Sequence, residues 1–265
     1  MSPAGPDPAD PYAVELSAAA EIAARAGRLI LERADRIERV DFKGARDVVT
    51  DVDRRAEALI LGELSRRFPA DAHLAEESGP AGSGPRTWVV DPLDGTINYA
   101  NGIPIYCVSI ALVDGGRPVV GVIHDPVRGE TFSATLAGPA LYNGRSIQAS
   151  NKPRLVDFVI SLTLDSERAA TRGSALAEAV RVHRRLGSSA LALAWVGCGR
   201  FDGFVQTFNL SAWDVAAAGL IAERAGARVS RLDGGPYLDL SLGMTRYGVV
   251  AAPEAHFEEL RRLVG

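Results

Sequence analysis

Trp88-Val89-Val90-Asp91-Pro92-Leu93-Asp94-Gly95-Thr96-Ile97-Asn98-Tyr99 is the segment from which the rest of the chain can be placed. Trp88-Val89-Val90 is a short, β-branched apolar run and predicts a buried strand. The strand ends in a carboxylate, and Pro92 has no N–H to give a ladder, so pairing is expected to stop there. Gly95 supplies the backbone freedom for a tight turn. Asp91 and Asp94 are then close together at the carboxyl end of a strand, with the Leu93 carbonyl between them. Three hard oxygens in a small volume suit Mg²⁺ or Ca²⁺ rather than a soft metal. Thr96 opens a helical turn whose first amides, on Gly95 and Thr96, favour an anion such as phosphate. The plainer reading is an ordinary strand-to-turn junction, in which Asp, Pro and Gly are common for geometric reasons.

To the N-terminal side, residues 1–9 read as a loose tail. Asp10-Pro11 reads as the start of a long helix running to about Arg33, with Ile22, Ala26, Leu29 and Ile30 at helical spacing. Thr50, with Asp53 three residues on, forms a capping-box pattern for a second helix that buries Ala56, Leu59, Ile60 and Leu64. His73-Leu74-Ala75-Glu76-Glu77-Ser78-Gly79 reads as an acidic loop.

To the C-terminal side, Ile105–Val113, the turn Asp114-Gly115-Gly116 and Val119–His124 read as a hairpin. A strand near Thr131–Thr135 and an Asn143-Gly144 turn extend the antiparallel sheet. Asn151-Lys152-Pro153 marks a boundary between an N-terminal half, 1–152, and a C-terminal half, 153–265, of one domain. Phe158–Leu162 reads as a strand and Ala175–Arg185 as a helix. Another helix opens near Ser188-Ser189, with serine as its natural cap. Asp202-Gly203 reads as turn chemistry. Ser211-Ala212-Trp213-Asp214 is a second capping box, for a helix to about Ala225, in which Asp214 by itself is a first-turn carboxylate. A strand at Ala227–Leu232, a turn at Asp233-Gly234-Gly235, a strand at Tyr247–Ala252 and a helix from Glu254 close the chain.

Composition narrows the options. The chain has 265 residues, 47% hydrophobic and 23% charged, enough for one large core or two fused halves. The net charge of −4 and the lack of a basic stripe argue against a nucleic-acid partner. No apolar run approaches a membrane span, and no signal peptide is read. Two cysteines, Cys107 and Cys198, form no disulfide framework, and a cytoplasmic location is expected.

Asp91-Pro92-Leu93-Asp94-Gly95-Thr96-Ile97-Asn98-Tyr99 resembles the signature of the inositol monophosphatase family of Mg²⁺-dependent, lithium-sensitive phosphatases. Trp213-Asp214-Val215-Ala216-Ala217-Ala218-Gly219 resembles that family's second signature, and Asp47 to Asp53 is similar to its D-L-V-T-x-x-D segment. The resemblance spans nearly the whole chain. It implies an α+β fold, a layered αβαβα sandwich of the inositol monophosphatase / fructose-1,6-bisphosphatase type, and usually a homodimer. It implies a site in which Glu76, Asp91, the Leu93 carbonyl, Asp94 and Asp214 hold two or three Mg²⁺ ions, with Mn²⁺ as a substitute and Li⁺ as an inhibitor. Ala75 stands where the family usually has glycine before the glutamate. In the implied chemistry, Thr96 and Glu76, with Asp53 behind Thr96, activate a water for in-line attack without a phosphoenzyme. Lys43 falls on the family's mobile loop.

The family's substrate pocket maps onto Asp94, Gly95, Thr96, Gly187, Ser188, Ser189, Thr207 and Asp214. Inositol-selective members carry a glutamate seven residues before the second-signature aspartate, and counting back from Asp214 reaches Thr207. A neutral hydroxyl cannot replace a carboxylate's paired acceptors. The implied substrate is a small, inositol-1-phosphate-like polyol or sugar phosphate; inositol 1-phosphate itself is weakened as the preferred one, in favour of a different polyol or sugar phosphate or a looser specificity. Fructose 1,6-bisphosphate and 3′-phosphoadenosine 5′-phosphate stay open. Histidinol phosphate is disfavoured by Ile97, where lysine is common in those relatives. A non-catalytic regulatory relative is the contrasting class.

Overall fold

The computed structural model describes residues 9–34, 40–44, 47–240 and 247–265, with only the backbone described for 40–44 and 47–49. The expected tail up to residue 8 and the Lys43 side chain lie outside the described residues. In chain order the elements are α1 (Ala13–Arg33), β1 (Val40–Gly44), β2 (Asp47–Thr50), α2 (Asp51–Arg67), β3 (Ala72–Ala75), β4 (Gly79–Ala81), β5 (Arg86–Asp94), α3 (Thr96–Ala100), β6 (Cys107–Asp114) and β7 (Arg117–Asp125). There follow β8 (Glu130–Thr135), β9 (Leu141–Tyr142), β10 (Arg145–Ser146), β11 (Val159–Thr163), α4 (Ser166–Ala179), β12 (Val182–Arg184), α5 (Ser189–Gly197), β13 (Gly203–Leu210), α6 (Ala212–Arg224), β14 (Ala227–Arg231), β15 (Tyr247–Pro253) and α7 (Glu254–Val264).

Two large sheets carry the architecture. One has eight strands in the order β10-β9-β8-β7-β6-β5-β3-β4, and the other has five in the order β12-β11-β13-β15-β14. The central strands of the larger sheet are apolar on both faces. Trp88, Val90, Val108, Ile110 and Leu112 pack with Ile22, Ala26, Ile30, Ala56, Ile60 and Leu64 of α1 and α2. Val89, Cys107, Ala111 and Ile123 face the opposite way and pack with α5 and α6. Burial on both faces removes the polar alternation that a half-exposed strand would show. Beyond α5 and α6 lies the five-stranded sheet, whose outer face is covered by α4 and α7 through Leu176, Phe257 and Leu260. The layers run α, β, α, β, α, as the resemblance implies. The small side chains of α6 let it fit between the two sheets: a Cβ on Gly121 of β7 would lie 2.6 Å from the Ala217 carbonyl oxygen.

Several local expectations shift. Asp10-Pro11 does not begin α1. Asp10 Oδ1 accepts from the Tyr12 amide at 2.9 Å in a turn that delivers the chain to Ala13. The predicted helix Ala175–Arg185 is displaced toward the N-terminus. Asp165 caps α4 by accepting from the Arg168 amide at 2.9 Å, and the helix ends at Ala179. Val182-His183-Arg184 instead pairs in parallel with Val159-Ile160-Ser161. The hairpin turns hold: Gly115 and Gly116 have φ of 55° and 79°, the two-residue geometry a tight antiparallel turn favours.

Asp202 is more than turn chemistry. It is buried, and its Oδ2 accepts from Lys152 Nζ and from the Val159 amide, each at 2.6 Å. Lys152→Met should therefore cost about 1–3 kcal/mol by leaving a buried carboxylate short of its cation. Urea denaturation checks this; a loss within about 0.5 kcal/mol, the scatter of neutral surface changes, would contradict it.

Candidate active site

Pro92 does not end the ladder. Asp91 pairs with Ser109 and Asp94 with Cys107, so β5 spends one residue more than β6 between these pairs and bulges. A bulge re-aims side chains at a sheet's end. It is stabilised by the Asp91 carboxylate, whose Oδ1 accepts from the Leu93 amide at 3.0 Å. Gly95 follows with φ of 101°. A Cβ there would lie 2.9 Å from the Ile105 carbonyl oxygen and 3.2 Å from Tyr106 Cα. Gly95→Ala thus meets both strain and backbone overlap. We expect a loss of about 2 kcal/mol or more, read as a lower denaturation midpoint.

Glu76 reaches the same corner by a route its acidic surroundings conceal. β3 runs parallel to β5 with Ala75 opposite Val90, and the Glu76 amide donates to the Val90 carbonyl at 3.1 Å. The residue after β3 therefore lies beside the residue after Val90, which is Asp91. Asp214 arrives from the first turn of α6, where its Oδ2 accepts from the Ser211 amide at 2.6 Å. Carboxylate oxygens of Asp91, Asp94 and Asp214 lie within 4.8 Å of one another. Glu76, Asp91, Leu93, Asp94, Gly95, Thr96, Ile97, Gly187 and Asp214 line one cavity of about 160 Å³.

The electrostatics follow from crowding. Burial first, and then the charges of Glu76, Asp94 and Asp214, push the Asp91 carboxyl well above the usual carboxylate range. Burial also raises Asp94, opposed by the Ser188 hydroxyl and backbone amides of α5. A buried group of acidic oxygens at this spacing has the donor chemistry and crowding that a hard divalent cation would relieve.

Asp94 also ties the larger sheet to the start of α5. The Ser188 hydroxyl donates to its Oδ2, the Ala190 amide donates to Oδ2 at 2.9 Å, and the Ser189 amide donates to Oδ1 at 3.2 Å. Ser188 occupies the cap position of α5, as expected, but its side chain does not cap. The Asp94 carboxylate does so from the neighbouring layer.

Thr96 Oγ1 lies 2.9 Å from Asp53 Oδ1 and 3.0 Å from the Leu93 carbonyl oxygen. Asp53 Oδ2 accepts from the Thr50 amide at 2.8 Å and from its hydroxyl at 2.5 Å, the carboxylate half of the capping box on α2. Burial raises the Asp53 carboxyl against these bonds.

Thr207 is not brought to the cavity. It is buried on β13, and its hydroxyl donates to Asp165 Oδ2 at 2.7 Å while accepting from the Asp165 amide at 2.8 Å. Its neighbour Gln206 faces the site instead. β13 is irregular between Gln206 and Leu210, and Asn209 takes φ of 61°, so counting residues back from Asp214 does not report which side chain turns inward. Gln206 joins Ile97, Ser161, Thr163, Arg185, Leu186, Gly187, Ser188 and Ser189 around a second cavity of about 180 Å³, which shares Ile97, at its edge, and Gly187 with the first. Sequence reasoning passed over Ser161, Thr163, Arg185 and Gln206, which carry no local motif.

The inositol monophosphatase family model matches residues 13–264. The chain belongs to the inositol monophosphatase family. An inositol-1-monophosphatase of Mesorhizobium japonicum is 40% identical over 230 residues, covering 83% of this chain and 86% of the relative. A protein of Xylella fastidiosa named Nus factor SuhB is 39% identical over 218 residues, covering 79% of this chain and 78% of the relative. The crystal structure of the extragenic suppressor protein suhB from Bartonella henselae matches with a TM-score of 0.88 at 34% identity, over 95% of this chain and 98% of the other. Like the phosphatases of its family, the chain is a phosphoric monoester hydrolase. No described helix is long and apolar enough to cross a membrane.

Proposed function

We propose that the chain is a Mg²⁺-dependent phosphomonoesterase for a small polyol or sugar phosphate. The observation that carries this reading is the convergence of Glu76, Asp91, Leu93, Asp94, Thr96 and Asp214 on one cavity. Glu76, Asp91, the Leu93 carbonyl, Asp94 and Asp214 would hold the metal. Magnesium bound there would neutralise phosphoryl oxygens and supply a water of lowered pKa.

The protein's own part is orientation. Thr96 has one hydroxyl proton and two protein acceptors for it, Asp53 and the Leu93 carbonyl. Whichever takes the proton, the remaining lone pairs can accept from an attacking water. Glu76 stands on the same wall to receive that water's proton. The amides of Gly95 and Thr96 steady the phosphate. Attack is in line, and no phosphoenzyme forms. The alcohol portion extends into the adjoining cavity, where Ser161, Thr163, Ser189 and Gln206 offer hydroxyl and amide partners. Ser189 Oγ donates to Gln206 Oε1 at 3.0 Å, and Gln206 Nε2 to the Phe208 carbonyl at 3.2 Å, so the amide is held in one orientation.

The test is phosphate release from a panel of polyol, sugar and nucleotide phosphates. Turnover should require Mg²⁺, be partly restored by Mn²⁺, cease with chelator and fall with Li⁺. A Mg²⁺-independent rate would overturn the reading. A regulatory role is the second reading, favoured by the Xylella fastidiosa relative's name; it expects no turnover across the panel. The protein is further proposed to be a cytoplasmic homodimer, consistent with two free cysteines, and light scattering in solution tests the dimer.

A further inference from the structure

We propose that the preferred ester carries a second anionic group, a carboxylate or a phosphate, at the end remote from the scissile bond, and that Arg185 selects it. This rests on the hydrolase reading above and deepens it.

Arg185 follows β12 and is the one charged residue lining the cavity beside the carboxylate cluster. It forms no salt bridge or side-chain hydrogen bond among the described residues, although acidic partners engage just over half of the described arginines. The rest of the lining is neutral. Ser161 is 4% exposed and Thr163 9% exposed, and neither hydroxyl makes a side-chain hydrogen bond among the described residues. Both residues line the cavity, so a ligand or water held there can satisfy these hydroxyls. The crevice thus runs from the acidic cluster, past unspent hydroxyls, to an uncommitted guanidinium. A phosphate would sit at the first end and hydroxyls in the middle. An anion would sit at the second, where a guanidinium gives two parallel donors to a carboxylate or phosphate. A plain polyol monophosphate would leave that end unanswered.

Steady-state kinetics of the Mg²⁺-loaded enzyme on three esters test this: glucitol 6-phosphate, gluconate 6-phosphate and glucitol 1,6-bisphosphate. The doubly anionic esters should exceed glucitol 6-phosphate in kcat/KM by about tenfold or more, mainly through KM, as a charge-assisted contact predicts. The ratio should fall toward one in Arg185→Gln and survive in part in Arg185→Lys. A preference for gluconate 6-phosphate alone supports a carboxylate as the selected group, and one for the bisphosphate alone supports a phosphate. Equal kcat/KM for all three esters, or a preference unchanged in Arg185→Gln, overturns the inference and leaves the hydrolase reading standing. Turnover of none of these, nor of any ester in the wider panel, overturns that reading and the inference with it.

Discussion

Asp91→Asn should abolish Mg²⁺-dependent phosphate release and at the same time make the metal-free protein more stable. Asp91 is 1% exposed, with Glu76, Asp94 and Asp214 around it, and no cation among the described residues lines the cavity. Repulsion among these groups is a cost the fold bears when no metal is present. Asparagine keeps a carbonyl oxygen for the Leu93 amide, so the bulge retains its bond while the charge is removed. Each kcal/mol of relief should raise the metal-free Tm by roughly 2–4 °C in a chain of this size. Loss of one acidic ligand removes several kcal/mol of transition-state charge stabilisation, on the order of a thousandfold or more in rate. Wild-type protein should gain Tm on adding Mg²⁺ by mass action, and the variant should gain much less. Equal Mg²⁺-induced gains in both proteins would mean that the metal binds elsewhere.

Such a trade of stability against activity is a mark of a functional site, and it bears on what the residue order could reveal. The signature was legible because its residues are contiguous: one bulge aims Asp91, Asp94 and the Leu93 carbonyl. The two capping boxes were legible because Thr50 with Asp53, and Ser211 with Asp214, are local patterns, although capping alone explains those aspartates completely. Only the fold shows that each also faces the cavity or touches a residue that does. Glu76 was less legible. The strand before it has four residues, too few for periodicity to register, and its place beside Asp91 depends on parallel pairing across intervening chain.

Three misreadings share a physical cause. Ser188 has the residue type of a cap, but a carboxylate 94 residues away serves the helix instead. Val182-His183-Arg184 continues an alanine-rich stretch, but a free sheet edge beside β11 recruits it. Counting back from Asp214 points to Thr207, but the irregularity of β13 turns its neighbour inward. In each, tertiary partners override a local preference. The layers themselves were legible through resemblance more than through patterning, since strands buried on both faces lose the alternation that marks a sheet.

Thr96→Ala should lower kcat by about a hundredfold to ten-thousandfold with little change in KM, the range associated with impairing a positioned proton transfer. Thr96→Ser should keep most of the rate, because it retains the hydroxyl and removes only a methyl group. Asp53 acts through Thr96. Its Oδ1 engages Thr96 and its Oδ2 engages Thr50, so both oxygens work as acceptors. In Asp53→Asn one oxygen becomes an amide donor, and either the cap on α2 or the Thr96 contact must fail. Loss of the cap costs about 1 kcal/mol, so kinetics should be compared well below the lower Tm. If Asp53 serves only to orient Thr96, the double variant Asp53→Asn with Thr96→Ala should be barely slower than Thr96→Ala alone. Burial raises the Asp53 carboxyl. As pH falls through that raised value, Asp53 gains a proton, stops being an obligate acceptor and frees Thr96 to donate into the cavity. Activity should therefore decline on the acid side, and this limb should be absent in Asp53→Asn. Thr96→Ala retaining more than about half the wild-type kcat would remove the threonine from this account. Fully multiplicative losses in the double variant would remove Asp53 from it.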